Sequence, residues 1–123
     1  NFEGFCGRGA TVKTFDRTLY LAKLCIDARH PEWWQIHFVG DGFLRKMVRN
    51  LVGTAADIAL GRRPLSCVAD ALATRDRSKA GPTAPAAGLT METVFYDHAV
   101  LAAQLDTLRA LPSDHVAPLF DCF

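Results

Sequence analysis

One stretch constrains the fold more than any other: FLRKMVRNLVGTAADIAL, inside a span from about Gly42 to Leu60. At 100° per residue, Leu44, Met47, Val48, Leu51, Val52, Ala55, Ile58 and Ala59 share one arc. The spacing predicts an amphipathic helix with that arc laid on a sheet. Gly61 supplies a residue suited to the left-handed stop. The other face carries Arg45, Lys46, Arg49, Asn50, Gly53 and Asp57. Its cations stand against one carboxylate, in the half of the helix where the dipole disfavours positive charge. Such faces are ordinarily solvated. This imbalance also suits an anionic ligand, or a carboxylate brought from elsewhere. Asp41, just before the helix, reads as its N-cap.

The segments around that helix set the class. RTLYLAKLCID (17–27) alternates, with Tyr20, Ala22, Leu24 and Ile26 on one apolar face. WWQIHFVGD (33–41) reads as a second strand, with Trp34, Ile36, Phe38 and Gly40 on a face. A short link containing Pro31 makes the two an antiparallel hairpin. Pro64 opens a second helix that continues to about Arg75. RSKAGPTAPAAG (77–88) has no large apolar side chain and reads as a long functional loop. LTMETVFYD (89–97) reads as a third strand, and HAVLAAQLDTLRAL (98–111) as a closing helix. Phe2 to Thr14 is glycine-rich and irregular, and APLF (117–120) is apolar enough to dock.

The order β-β-α-α-β-α predicts one α+β domain over 1–123: a small, mostly antiparallel sheet with helices packed on one face. Three strands leave exposed edges, which points to a missing half or a partner chain. The opening at Asn1, without methionine, fits a fragment. Net charge is only +1, so a nucleic-acid site has to come from local clustering. Cys6, Cys25, Cys67 and Cys122 are scattered, which argues against a zinc site and for reduced thiols in a cytoplasmic protein. No apolar run approaches the roughly 20 residues that span a bilayer.

GDGFLRKMVRNLVG (40–53), then DRSKAGPTAPAAGL (76–89), then a strand, resembles the C-terminal half of the tRNA pseudouridine synthase A family. The opening NFEGFCGRG and the terminal APLF resemble that family too, in the same order along the chain. The resemblance implies an isomerase that converts uridine to pseudouridine in the tRNA anticodon stem-loop, without metal or organic cofactor. It implies a homodimer of chains built from two similar α+β halves around a cleft. The nucleophile is an aspartate of the N-terminal half, and no counterpart of its motif occurs among these residues. Arg49, in MVRN, matches the arginine that pairs with that aspartate. Leu89 matches the leucine that lines the uridine pocket, although Thr90 stands where the family commonly has an aromatic residue. Arg45, Lys46, Arg77 and Lys79 are then candidates to meet tRNA phosphates. The expected partners are tRNA, the chain's own N-terminal half and a second copy. Two other readings stay open: a non-catalytic RNA-binding module, and a dimerisation domain.

Overall fold

A computed structural model of the chain describes residues 1–26 and 29–111. After a 3-10 turn at Glu3–Phe5 come strand β1 (Leu19–Ile26) and strand β2 (Trp34–Gly40). Helices α1 (Met47–Ala59), α2 (Ser66–Thr74) and α3 (His98–Ala110) follow. The strands pair antiparallel, as their alternation and short link require. Their register sets Ala22 opposite Phe38, Leu24 opposite Ile36 and Ile26 opposite Trp34, so one face is wholly apolar. The register shifts between Leu19 and Leu21.

Asp41 does not cap the helix. Its backbone N–H donates to the Thr18 carbonyl (3.1 Å), and its Oδ1 accepts from the Thr18 N–H (3.0 Å). It closes the open end of the hairpin instead. The helix begins later than its periodicity suggests because tertiary contacts hold the preceding turn. The Arg45 carbonyl accepts from the Gly7 N–H at 2.7 Å, and Lys46 adopts a left-handed backbone with φ 60°. Arg45 and Lys46 therefore precede α1 and do not share a helical face with Arg49. The far end behaves as the sequence suggests. Gly61 takes φ 68°, and the Leu60, Gly61 and Arg62 N–H groups bond back to the last turn of α1.

The apolar arc of α1 also has a different target. Met47, Leu51 and the preceding Leu44 belong to one cluster with Phe2, Phe5, Cys6, Cys67, Val68 and Ala71. Phe5 is wholly buried, and its ring packs tilted on Phe2 with centroids 6.3 Å apart. The core thus lies between the N-terminal segment, α1 and α2, while Leu19 and Phe38 touch it from the sheet. The glycines of the N-terminal segment do not prevent this, because two phenylalanines bring enough apolar area to fix a single turn.

Residues 89–97 form no strand among the described residues. Leu89, Met91, Val94 and Tyr96 are exposed, Tyr96 by 95%. The α+β class holds, but the sheet has two strands, because an alternating segment becomes a strand only where an edge satisfies its backbone. Helix α3 begins at Asp97, whose Oδ1 accepts from Ala99 N–H (2.7 Å) and Val100 N–H (3.4 Å). Lys23 of β1 donates from Nζ to the Arg109 and Leu111 carbonyls, each at 2.6 Å, at the negative end of that helix. The expected docking tail at 117–120 lies outside the described residues, as does Cys122. No helix of the described residues is long and apolar enough to cross a membrane.

Candidate functional site

The polar face of α1 is covered. A strap of backbone, Ala80 to Ala84, lies directly across it, and Gly53 makes room. A Cβ on Gly53 would sit 1.8 Å from the Pro82 carbonyl oxygen, closer than any side chain can approach. Beneath the strap Asn50 and Thr54 are fully buried. Buried polar groups must be paired, and these are. Asn50 Nδ2 donates to the Phe5 carbonyl at 2.7 Å. Its Oδ1 accepts from Thr83 Oγ1 (2.6 Å) and from Arg77 Nη2 (3.0 Å). A flipped amide would set its N–H₂ against the Arg77 donor, so one orientation alone fits. Thr54 Oγ1 donates to the Asn50 carbonyl (2.7 Å) and accepts from the Gly81 N–H (2.8 Å).

Arg49 lies at the end of this strap. Its Nε donates to the Ala84 carbonyl at 2.7 Å, and the Ala84 N–H donates to the Arg49 carbonyl at 3.0 Å. Main chain and side chain of one arginine thus bracket a single strap residue. Among the described residues no carboxylate pairs with Arg49, and the terminal nitrogens of its guanidinium make no hydrogen bond. A part-buried arginine fixed through Nε keeps its planar fork for a bidentate acceptor.

The other candidates divide by what already holds them. Arg77 is turned inward. Its Nη1 donates to the Gly81 carbonyl (2.8 Å) and the Ala80 carbonyl (3.4 Å), and Nη2 reaches Asn50 and Thr83. Burial, then the nearby charges of Arg63 and Arg8, lowers its hold on its proton, yet a guanidinium stays charged. Arg45 donates from Nη1 to the Arg8 carbonyl at 3.1 Å. Lys46 and Lys79 are exposed. Leu89 is 51% exposed, and its N–H closes a turn on the Ala86 carbonyl (3.0 Å).

Lys46 and Arg77 meet in an open cleft of about 710 Å³ between the N-terminal segment, α1 and the loop at 76–83. Arg8 and Arg63 line it too, and its carboxylates are engaged. Asp57 pairs with Arg63 (3.3 Å) and Arg62 (3.6 Å). Asp76 accepts from the N–H (2.8 Å) and Oγ (2.7 Å) of Ser78, bonds that hold its carboxyl below the usual range. Arg49, Ala84, Arg45, Lys79 and Leu89 do not line this cleft. The structure therefore separates Arg49, held through Nε on the Ala84 carbonyl, from an open cleft lined by Arg8, Lys46, Arg63 and Arg77. No group of three or more His, Cys, Asp or Glu among the described residues could hold a metal ion.

The family model described as tRNA pseudouridine synthase matches residues 1–97. The chain belongs to the tRNA pseudouridine synthase family. Over 96 residues it is 36% identical to a tRNA pseudouridine synthase A of Syntrophomonas wolfei, covering 78% of this chain and 37% of that protein. Over 105 residues it is 39% identical to one from Geobacillus kaustophilus, covering 85% and 40%. A shorter match of 57 residues to one from Myxococcus xanthus reaches 56% identity, over 46% and 22%. The chain spans about two fifths of the length of the first two relatives.

Several residues that build this region escaped the sequence reading: Asn50, Thr54, Thr83 and Ala84 at the strap, and Arg8 and Arg63 in the cleft. The first group had a signal. Asn50, Gly53 and Thr54 form a small and polar patch on one helical face, opposite the apolar arc. The second group comes from two separate parts of the chain, and only folding brings it together.

Proposed function

We propose that this chain forms one side of the uridine site of an enzyme that isomerises uridine to pseudouridine in the tRNA anticodon stem-loop. The observation that carries this reading is Arg49, clamped through Nε with its fork left open. In the proposed reaction a catalytic aspartate from outside these residues docks on that fork. The opposite charge keeps the carboxylate ionised in a partly dry site and points its oxygen at the nucleotide. The carboxylate attacks, the glycosidic carbon–nitrogen bond breaks and the base turns; a carbon–carbon bond then forms as the carboxylate is released, the base carbon loses its proton, and the freed ring nitrogen takes one up. Leu89 gives the unstacked base an apolar wall. Arg8, Lys46 and Lys79 contact RNA phosphates, and Arg45 does so if it leaves the Arg8 carbonyl. Arg77 contributes its charge from beneath the strap. The working enzyme is a homodimer in the cytoplasm, each copy pairing this half with an N-terminal one.

The test is tritium release from labelled tRNA by a full-length synthase carrying these residues. Arg49→Ala is expected to lower turnover by about a hundredfold to a thousandfold, the order seen when one charge-stabilising donor is removed. The circular-dichroism spectrum should stay unchanged. Turnover within about threefold of the parent would reject the role.

A second reading, a non-catalytic RNA-binding module, is favoured by the cleft, where Arg8 and Lys46 are exposed and the carboxylates are taken. It predicts tRNA binding by these 123 residues alone, weakening steeply with salt. A flat titration at low salt removes it.

A further inference from the structure

Among the described residues Arg49 has one hydrogen bond from its side chain, to a loop carbonyl. Its orientation is therefore no better defined than the loop. Beyond the Ala84 N–H on the Arg49 carbonyl, this part of the strap has few anchors of its own: Ala84 carries only a methyl group, and Pro82 and Pro85 donate no backbone hydrogen bond. What fixes the strap is buried. Thr83 Oγ1 donates to Asn50 Oδ1 at 2.6 Å, one residue before Ala84. Arg77 holds the strap's upstream end at Gly81 and reaches the same Asn50 oxygen. Asn50 is itself pinned to the Phe5 carbonyl in the core. A chain of bonds thus runs from the core, through Asn50 and Thr83, to the carbonyl on which Arg49 rests.

We infer that Asn50, Thr83 and Arg77 are positioning residues for Arg49, acting on it through the Pro82–Ala84 strap. None of the three needs to touch the nucleotide. Their effect is to hold the Ala84 carbonyl at one place above α1, so that the Arg49 fork meets its carboxylate already aligned. The inference rests on the proposed role of Arg49, and its two measurements separate the geometry from that role.

The first measurement uses this chain and needs no activity. The Arg49 Nε–H should give a guanidinium resonance protected from exchange with water, assigned by its loss in Arg49→Lys. Thr83→Val keeps the shape and removes the hydroxyl. It is expected to speed exchange of the Arg49 Nε–H at least about tenfold. The Arg63 Nε–H, which rests on Asp57 and not on the strap, should keep its rate, as should the α1 amides. Thr83→Ser should restore protection. Unchanged exchange in a folded Thr83→Val overturns the inference. If Thr83→Val does not fold, Arg77→Lys serves, since it keeps the charge and loses the two-pronged grip on Gly81 and Asn50.

The second measurement is steady-state turnover of tRNA by a full-length synthase carrying these residues. Thr83→Val should lower kcat about tenfold or more with KM within about twofold, and Thr83→Ser should recover it. Normal kcat in Thr83→Val, beside an inactive Arg49→Ala, overturns the positioning role. An active Arg49→Ala overturns the proposed function itself and, with it, the catalytic part of this inference.

Discussion

The region around α1 and the region around the hairpin solve the same problem differently. Around α1, apolar and polar groups alike find partners within the chain. Phe5, Met47 and Leu51 are wholly buried, and Asn50 and Thr54 are buried and fully hydrogen-bonded. Among the described residues the hairpin pairs with no third strand, and Trp33 and Trp34 are exposed. The segment at 89–97 shows Met91, Val94 and Tyr96 to solvent. Apolar patches of this kind on a small domain ordinarily mark a contact surface. The difference teaches where the chain is self-sufficient: the region around α1 is finished internally except for the open fork of Arg49, and the region beside Leu89 is not.

The comparison breaks most easily at Gly53. Gly53→Ala puts a methyl group into the Pro82 carbonyl, and neither backbone can yield without losing the strap. A loss of about 3 kcal/mol or more is expected in urea unfolding, at the upper end for overpacking. Asn50→Ala comes next. It removes the bonds that the Phe5 carbonyl, the Thr83 hydroxyl and the Arg77 guanidinium make to this side chain, which should cost about 2–3 kcal/mol in the same measurement. Lys23→Ala tests the other region. It removes two hydrogen bonds at the C-terminus of α3 and should cost about 1 kcal/mol. The loss should show in amide exchange of α3 and leave α1 protected. Tyr96→Ser should change the stability of this chain by less than about 0.5 kcal/mol, because Tyr96 packs on almost nothing. A large effect there would mean that the exposed region is more complete than its surface suggests.

Much of this was legible in the sequence, for local reasons. The hairpin announced itself by alternation on both sides of Pro31, the end of α1 by Gly61, and α3 by the run HAVLAAQLDTLRAL (98–111). Arg49 stood out because its motif resembles the family's. What escaped depends on contacts distant in sequence. Asp41 has the chemistry of a cap but meets Thr18, 23 residues back. The helical wheel placed Arg45 and Lys46 on α1, but the Gly7 contact holds them in a turn before it. The alternation at 89–97 is a strand pattern without an edge to join. Arg77 looked like a surface cation because nothing in its own neighbourhood reveals that Asn50 lies underneath.

The strap's hold on α1 runs largely through main-chain atoms: the Gly81 N–H on Thr54, the Ala84 N–H and carbonyl on Arg49, and the Gly81 carbonyl on Arg77. Such a device measures length more than it reads letters. Many small residues could stand at Ala84, but one residue added between Gly81 and Ala84 would turn the strap's donors to where its acceptors belong. Apart from Gly81 and Thr83, the segment can be respelled more readily than it can be lengthened.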